Sequence, residues 1–479
     1  MRDSGGALRV VPPGGGGAAR LSPTFAGDPR RLFLEENGES WTVGRLLAHA
    51  ADIERAIPPD AGPVVAVRSH TAAFVVASLL GTWRSRRAPL LVDPSLAREP
   101  GGLRHREHRM PVIAPAGVRD TWCDIPVAER QAGAIEPVFP SAGDTEVLFF
   151  TSGSTGEPKV VRKRGGQFAA QHEVEAPWLG LDRPLGVLCL VPAFHILGYI
   201  YGFDVPACAG GSTRFSRGAT PQQWADQVRA SRPGLVVGVP AHYRLLAQAL
   251  REPLPHALFV CSGGPLDAAV GEEFRRRAGS DVLQVYGSTE TGGIATRRGA
   301  GAWQPFPRLA WRSREGDGRL EIMSDWQERP GEWHCTDDVV SDEGETFTLV
   351  GRADSVVKVG GRRFATGEVV RAALAEARVE QAHAVVYERF GEAAVALFVV
   401  AKPGTGITPA DVRAALATRL AAFKVPRTIR VLRELPTRGI GKIDDDALRA
   451  TAVGGEVQER AEKIGPPRRK TAEGKPAEK

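Results

Sequence analysis

The chain has 479 residues, which exceeds one typical hydrophobic core and predicts at least two domains. Its composition, 42% hydrophobic and 25% charged residues, is that of an ordinary soluble globular protein. The formal net charge is +6, but Lys and Arg are scattered in short clusters such as residues 162–164 and 275–277. This pattern favours solvated faces and the binding of anionic ligands over nucleic-acid binding.

The termini and apolar runs predict a cytoplasmic protein. Residues 1–20 carry glycines and prolines where a signal peptide needs an apolar core, and no apolar run reaches the ~18 residues that cross a bilayer. We expect no membrane span. Residues 1–20 and 454–479 have compositions typical of disordered segments.

The cysteines and histidines predict no structural metal. His105 and His108 lie in a run of arginines, which indicates an exposed helix face. The cysteines are widely spaced, without a Cys-x-x-Cys pair, and are predicted to be reduced and mostly buried; they are Cys123, Cys189, Cys208, Cys261 and Cys335.

The first elements alternate between strand and helix. Residues 63–67 and 89–94 read as strands on either side of an apolar helix at 71–83, and Thr42 is placed to cap an earlier helix. This alternation predicts a large layered α/β domain with mostly parallel sheets.

A buried strand at residues 147–150 leads into a loop that could hold an anion. The loop combines four hydroxyls, two glycines and a lysine, which are the groups needed to wrap a polyphosphate. A surface turn is an equally good interpretation of the loop alone. It is not a Walker A loop, because Glu157 and Pro158 precede its lysine and no Ser or Thr follows, so a P-loop kinase or ATPase is disfavoured. The candidate residues are Thr151, Ser152, Gly153, Ser154, Thr155, Gly156 and Lys159.

This loop resembles the phosphate-binding signature of the adenylate-forming enzymes, Thr-Ser-Gly-Ser/Thr-Thr-Gly-x-Pro-Lys. These enzymes include acyl- and aryl-CoA synthetases, peptide-synthetase adenylation domains and luciferases. The resemblance implies ATP and Mg²⁺ as ligands. It also implies a large N-terminal adenylation domain, here residues 21–352, joined by a hinge to a small α+β domain at 353–453.

A histidine follows the next buried strand, at residues 186–191. Alone, His195 is more simply a hydrogen-bonded structural residue. By resemblance to the Pro-x-Phe-His-x-x-Gly motif of acyl- and aryl-CoA synthetases, it would line the acyl tunnel near the reacting carboxylate. Amino-acid-activating relatives usually carry an aspartate there, so His195 predicts an acid without an α-amine. The acyl-pocket candidates, which suggest an apolar or aryl acid, are Phe194, Tyr199, Tyr201, Val239 and His242.

Two later strands end in candidate nucleotide-binding turns. Gly263 and Gly264 offer bare backbone to a flat ring, although an ordinary strand-to-helix turn would look the same. Residues 286–290 supply an aromatic ring, a glycine, two hydroxyls and a carboxylate, which suit base stacking, phosphate contact and Mg²⁺ ligation. They match the family motif Tyr-Gly-x-Thr-Glu. The resemblance assigns Tyr286 and Gly287 to ATP, Thr289 to catalysis and Glu290 to the metal.

The remaining signatures follow towards the C-terminus. By resemblance, Asp338 and Arg352 bind the ribose, although Asp337 stands where the family has glycine and adds a negative charge. Asp354 would be the hinge, and Lys442 would bridge the substrate carboxylate and the α-phosphate as a catalytic residue. Two glycines would border the thiol channel; they are Gly360 and Gly361.

The resemblance therefore implies a ligase that forms an acyl-AMP, releases pyrophosphate and transfers the acyl group to a phosphopantetheine thiol. The thiol would belong to coenzyme A or to a separate acyl carrier protein. Two alternatives stay open. An amide ligase would share the first half-reaction, and a non-catalytic acyl-nucleotide binder could have lost activity through Asp337.

Overall fold

The computed structural model describes most of the chain. The described residues are 9–10, 28–94, 104–105, 108–109, 112–115, 125–127, 145–152, 158–216, 218–353, 356–359, 362–389, 392–438 and 442–453.

The helices are α1 Val43–Ala56, α2 Ala72–Arg84, α3 Gly165–Leu179, α4 Ile196–Tyr199, α5 Val205–Ala209, α6 Pro221–Ser231, α7 Pro240–Ala249, α8 Ala268–Ala278, α9 Thr366–Leu374 and α10 Pro409–Ala417. A π-helical turn, Ile200–Asp204, joins α4 to α5, and a 3₁₀ turn, Ala422–Lys424, follows α10. Residues 445–453 are also helical.

The strands are β1 Arg9–Val10, β2 Leu32–Glu36, β3 Glu39–Thr42, β4 Val64–Val67, β5 Ala88–Leu91, β6 Arg104–His105, β7 His108–Arg109, β8 Val112–Pro115, β9 Ile125–Val127, β10 Glu146–Ser152, β11 Pro158–Arg164, β12 Gly186–Cys189, β13 Ser212–Phe215, β14 Leu235–Gly238, β15 Leu258–Cys261, β16 Val282–Ser288, β17 Gly292–Arg298, β18 Gln304–Pro305, β19 Ala310–Ser313, β20 Arg319–Met323, β21 His334–Asp342, β22 Phe347–Arg352, β23 Val356–Val359, β24 Arg362–Ala365, β25 Val379–Arg389, β26 Glu392–Ala401, β27 Thr428–Leu432, β28 Thr437–Arg438 and β29 Lys442–Ile443.

A nine-stranded sheet forms the largest layer, in the order β18-β17-β16-β15-β14-β12-β13-β2-β3. Its central strands, from β16 to β2, pair in parallel, and antiparallel strands close both edges. The segments β14 and β15 are almost wholly buried because helices cover them, as expected for a parallel sheet. Trp224, Tyr243 and Phe274 of α6, α7 and α8 pack in one core cluster with Phe259 of β15.

A six-stranded sheet has the order β11-β10-β5-β4-β8-β9. Helix α2, buried along its whole apolar length, packs against α1. At their contact a Cβ on Gly81 would lie 2.5 Å from the carbonyl oxygen of Ala50, so only glycine permits this approach. Thr42 caps α1 as predicted, since its hydroxyl accepts from the Arg45 amide.

A third sheet has the order β1-β19-β20-β21-β22. Strand β1 pairs antiparallel with β19, placing Arg9 opposite Trp311 and Val10 opposite Ala310. The predicted disorder of residues 1–20 therefore does not hold at Arg9–Val10, because β19 offers these two residues backbone hydrogen-bonding partners. The rest of that segment, and residues 454–479, lie outside the described residues.

The chain separates into two compact units. One comprises Met1–Arg312, Glu321–Cys335 and Asp342–Thr348, and the other comprises Ser313–Leu320, Thr336–Ser341 and Leu349–Lys479. In the smaller unit, the sheet β25-β26-β27 packs with α9 and α10 around Leu397, Val399 and Leu416. The fold class is as predicted: a large α/β domain with mostly parallel sheets and a small α+β domain. The boundary at residue 352 stays a prediction.

Two local predictions differ from the structure. The helix expected at 408–423 ends at Ala417 and is followed by the 3₁₀ turn, although Thr408 caps its start as predicted. Residues 104–105 and 108–109 form the short strands β6 and β7, with His105 paired to His108, where the sequence predicted a helix face. In the described part of the chain, no helix is long and apolar enough to cross a membrane.

Candidate active site

Four predicted site segments follow neighbouring strands of the nine-stranded sheet. Strands β16, β15, β14 and β12 are adjacent and parallel, so their carboxyl ends lie at one edge. His195, Val239, Gly263 and Glu290 come shortly after these ends. Ligands of open α/β sheets bind at this edge. The fold therefore groups the acyl-pocket candidates with the candidate nucleotide turns.

The candidate phosphate loop connects two antiparallel strands, β10 and β11. Thr151 lies opposite Lys159 and Ser152 opposite Pro158, so the ends of the loop are held close together. Strand β10 pairs in parallel with β5, and its Val147, Leu148 and Phe149 are buried as predicted. The loop residues Gly153, Ser154, Thr155 and Gly156, and the side chains of Thr151 and Ser152, lie outside the described residues.

The turn after β16 uses some of its polar groups internally and leaves others for a ligand. The Ser288 amide donates to the Thr291 hydroxyl at 2.9 Å, and the Thr291 amide donates to the Ser288 hydroxyl at 3.2 Å. In contrast, the Thr289 hydroxyl and Glu290 carboxylate have no side-chain hydrogen bond or ion pair within the described residues. A half-buried carboxylate of this kind fits Mg²⁺, which prefers oxygen ligands.

Gly287 sits where a side chain could not. A Cβ there would lie 2.1 Å from the carbonyl oxygen of Gly292 on the paired strand, at an irregularity in the β16–β17 register. Tyr286 packs against Trp303 and Phe347, with ring centroids 5.4 and 6.1 Å apart. The half-buried Tyr286 ring is thereby fixed in orientation before any base stacks on it.

Lys163 is the main correction to the sequence interpretation, which placed it in a solvated basic cluster. Only 1% of this residue is exposed. Its ammonium donates to the carbonyl oxygens of Glu290 at 3.1 Å and Trp326 at 2.7 Å. Burial lowers the Lys163 pKa to about 7, against the opposing effect of nearby carboxylates. Its neighbours Arg162 and Arg164 are exposed as expected.

The buried face of α3 also carries polar side chains. Gln167 donates to the carbonyl oxygens of Gln327 and Glu328, the latter at 3.3 Å, and Gln171 donates to Glu175 at 2.8 Å. Tyr201 donates its hydroxyl to the other Glu175 oxygen at 3.0 Å. Burial raises the Glu175 pKa to about 7, although both hydrogen bonds oppose the shift.

The predicted acyl-pocket aromatics are in three different environments. His195 is exposed and is the N-cap residue of α4, and the buried Phe194 contacts it at a centroid distance of 4.6 Å. Tyr199 packs among Phe149, Phe168 and Phe203, and so joins α4 to the phosphate-loop strand β10. Tyr201 is buried against Glu175, as described above. Their contact with an acid stays a prediction.

Val239 and His242 lie beside the glycine turn. The Val239 amide donates to His242 Nδ1 at 3.2 Å, which places the imidazole proton on Nε2, and burial lowers the His242 pKa. Gly263 has a φ of +79°, and a Cβ there would lie 3.4 Å from the Val239 side chain. The exposed Gly263 thus borders Val239, and the exposed Gly264 borders Pro240, at the sheet edge.

The ribose candidates carry an arrangement that the sequence did not indicate. Arg352 donates to the Asp337 carboxylate at 3.1 Å, and Arg319 lies 3.7 Å from it. Asp337 is in strand β21 and is not among the described residues with positive φ, so its backbone does not need the expected glycine. Asp338, half-buried next to it, donates its amide to the Thr336 hydroxyl at 3.2 Å.

Several predicted residues lie outside the part of the chain that the structure describes. Asp354, Gly360 and Gly361 lie outside the described residues, as does the side chain of Lys442. The backbone of Lys442 pairs with Arg438 in the β28–β29 hairpin. The assignments of these four residues stay predictions.

One cluster with metal-ligand chemistry lies close to Tyr199, whose pKa is raised by burial and by two members of the cluster, Asp204 and Cys208. His172, Asp204 and Cys208 bring their potential ligand atoms within 4.8 Å of one another, and His172 Nε2 lies 3.1 Å from Asp204 Oδ2. The sequence analysis missed it, because the residues come from α3, the π-helical turn and α5. A buried imidazole–carboxylate pair is the simplest interpretation of this cluster.

The sequence model described as AMP-binding enzyme matches residues 24–315, more than half of the chain. The chain belongs to this family. The model of the AMP-binding enzyme C-terminal domain matches residues 371–442. The resemblance to adenylate-forming enzymes is thereby confirmed.

The curated relatives of this AMP-binding enzyme include CoA ligases. The 4-coumarate–CoA ligase of Rhodobacter capsulatus is 30% identical over 303 residues, which cover 63% of this chain and 75% of the relative. The 4-hydroxybenzoate–CoA/benzoate–CoA ligase of Rhodopseudomonas palustris is 26% identical over 370 residues, 68% of each chain.

Solved structures share the fold of this AMP-binding enzyme. The o-succinylbenzoate CoA synthetase of Bacillus subtilis, in complex with its acyl-adenylate intermediate, gives a TM-score of 0.74 at 18% identity, over 88% of this chain and 96% of that one. A benzoate CoA ligase from Burkholderia xenovorans gives 0.65 at 20% identity, over 88% and 97%.

Proposed function

We propose that this AMP-binding enzyme is an ATP-dependent carboxylic acid ligase that forms an acyl-AMP and then an acyl thioester. The observation that carries the proposal is the turn after β16. Among the described residues, neither the Thr289 hydroxyl nor the Glu290 carboxylate makes a hydrogen bond or ion pair, and both lie at the sheet edge that also holds His195 and Gly263. A carboxylate and a hydroxyl at that edge suit a metal-bound polyphosphate.

In the first half-reaction an oxygen of the acid attacks the α-phosphorus of ATP. The bond from that phosphorus to the bridging oxygen breaks, and pyrophosphate leaves with the electron pair. The loop at 151–159 would hold the β- and γ-phosphates, and Glu290 would hold Mg²⁺, which neutralises phosphate charge when bound. Lys442 would offset the negative charge that peaks as carboxylate and phosphate join. Alignment of the two reactants supplies much of the acceleration.

The acid is proposed to be aryl or otherwise apolar and without an α-amine. His195 offers no fixed negative charge to an ammonium group, and it lies beside the buried ring of Phe194. The names of several curated relatives support the aryl class, since they include 4-coumarate and benzoate, whereas two others name acetyl-coenzyme A and sulfoacetate. Val239 at the next strand end would form another apolar wall.

In the second half-reaction a phosphopantetheine thiol attacks the acyl carbon and AMP leaves. We propose coenzyme A as the acceptor, because the curated relatives are named as CoA ligases. A rotation at Asp354 of residues 353–453 relative to residues 21–352 would switch the enzyme from the adenylation step to the thioester step. Gly360 and Gly361 would border the channel through which the thiol enters.

The acceptor can be tested by measuring AMP release from ATP with 4-coumarate and benzoate. We expect coenzyme A to stimulate release at least about tenfold and to be acylated in equal amount. An acyl carrier protein is the second thiol to test. Stimulation by amines but by neither thiol would contradict the thioester step and favour the amide ligase.

A further inference from the structure

We propose that Lys163 is a positioning residue that fixes the Thr289–Glu290 turn relative to the strand leaving the phosphate loop. The proposal deepens the proposed function and rests on it. Lys163 lies on β11, four residues after Lys159, and reaches the turn after β16 from the other sheet. The lysine would thus set the separation between the groups that hold the metal and those that hold the phosphates.

The contacts of Lys163 involve backbone on both sides. Its ammonium donates to the Glu290 carbonyl at 3.1 Å and to the Trp326 carbonyl at 2.7 Å. The Glu290 carbonyl also accepts from the Glu328 amide at 2.8 Å. Lys163 therefore holds Glu290 by its main-chain carbonyl oxygen. The Glu290 carboxylate takes no part in these hydrogen bonds, so it stays available to a ligand.

Residues 326–328, whose carbonyl oxygens accept hydrogen bonds from Lys163 and Gln167, also pack against the β16–β17 hairpin. We call this set of contacts the clamp. The Trp326 indole donates to the Gly293 carbonyl at 2.8 Å. A Cβ on Gly292 would lie 2.8 Å from the Trp326 ring, and one on Gly293 would lie 1.8 Å from a Glu175 oxygen. Both glycines are therefore needed for the hairpin to approach α3 and this segment so closely.

Burying the Lys163 ammonium costs free energy, which a purely structural contact would not require. A buried ammonium loses its hydration, and apolar packing of similar volume often gives equal or greater stability. Glu328, Glu290 and Glu175 face Lys163 and favour its charged form, yet burial still lowers its pKa to about 7. Two hydrogen bonds that hold a polar turn in one geometry would offset this cost.

The test compares Lys163→Met with Arg162→Met, which removes an exposed cation from the preceding residue of the same strand. Hydrogen exchange of residues 286–293 in the free protein reports the positioning itself. The Mg²⁺ concentration for half-maximal ATP binding, measured by calorimetry, reports its consequence. In Lys163→Met we expect faster exchange of the hairpin amides and a half-maximal Mg²⁺ concentration raised about 10-fold or more. Arg162→Met should change neither.

The proposal is overturned if folded Lys163→Met keeps both the hairpin protection and the Mg²⁺ dependence of the unchanged protein. If Lys163→Met does not fold, Gln167→Met decides, because it removes donors to the carbonyls of Gln327 and Glu328 in the same clamp. That variant should shift both readouts in the same direction by a smaller factor, and no shift would overturn the proposal.

These readouts separate the positioning role from the ligase activity. Pyrophosphate exchange is measured in parallel with aryl acids. If the unchanged protein binds Mg·ATP but exchanges no pyrophosphate, the ligase activity fails, while a Lys163-dependent shift in Mg²⁺ would still support the positioning. If exchange occurs and Lys163→Met leaves the Mg²⁺ dependence intact, the positioning role alone is overturned.

Discussion

Glu290 is the residue at which metal binding is tested most simply. Glu290→Gln keeps the shape of the side chain but removes its charge, so we expect Mg²⁺-dependent pyrophosphate exchange to fall at least about 100-fold. The free energy of unfolding should fall by no more than about 1 kcal/mol, because the carboxylate makes no hydrogen bond or ion pair among the described residues and only its charge acts on the buried Lys163. Glu332→Gln, at an exposed residue, is the control. Equal loss in both variants would refute a specific role.

Substitution of Lys442 tests whether the adenylation step needs its positive charge. Lys442→Ala should lower pyrophosphate exchange at least about 100-fold, since it removes a cation that acts on the developing charge, and should leave ATP binding nearly intact. Lys402→Ala removes an exposed lysine from the same unit and should leave both unchanged. Undiminished exchange in Lys442→Ala would rule out the assigned role.

Substitution of Asp337 tests the alternative that the protein binds an acyl nucleotide without catalysis. Its carboxylate is paired with Arg352 and lies near Arg319, and its backbone is extended, so the residue disturbs neither local charge nor conformation. We therefore expect Asp337→Gly to change pyrophosphate exchange by no more than about threefold, as for other exposed ion pairs. A large gain of exchange in this variant would mean that Asp337 suppresses activity, contrary to this account.

At the scale of elements, the buried face of α3 makes stability depend on pH. The folded-state pKa of Glu175 is raised from 4.5 to about 7, so the folded protein binds more protons than the unfolded chain between these values. Its contribution to stability is full below pH 4.5 and is lost as the pH rises to about 7. The lowered Lys163 pKa acts in a separate window, between about 7 and 10.5, where stability rises with pH.

Glu175→Gln should accordingly reduce the fall in unfolding free energy between pH 4.5 and 7. Urea denaturation at several pH values measures this slope. Glu173→Gln, on the same helix but paired at the surface with Arg308, should keep the slope of the unchanged protein. An unaltered slope in Glu175→Gln would show that Glu175 does not titrate in this window.

One part of the candidate site could be predicted from sequence, and another part could not. Motifs at strand ends predicted His195, Gly263 and the residues at 286–290, because a parallel sheet brings successive strand ends to one edge. Lys163 was misread because its exposed neighbours Arg162 and Arg164 resemble a solvated cluster. Within α3, polar residues recur at 167, 171 and 175, about one helical turn apart, which could have indicated a buried polar face on this helix. Lys163 lies on the preceding strand, where that spacing does not apply.

At the scale of the whole molecule, the fold class followed from the alternation of apolar strands and helices. Strands β4, β5, β10, β12, β14, β15 and β16 lie where short apolar runs predicted them. The pairing of β1 with β19 could not be predicted, because two residues in a glycine-rich segment acquire a partner about 300 positions away only in the folded chain.

The central claim is that the chain adenylates a carboxylic acid, and pyrophosphate exchange into ATP tests it most directly. Purified protein is assayed with fatty, aryl and amino acids, each with and without Mg²⁺. The account predicts metal-dependent exchange with aryl or other acids that lack an α-amine, and none with amino acids. Silence with every acid, from a protein that still binds Mg·ATP, would contradict the account and identify a non-catalytic nucleotide binder.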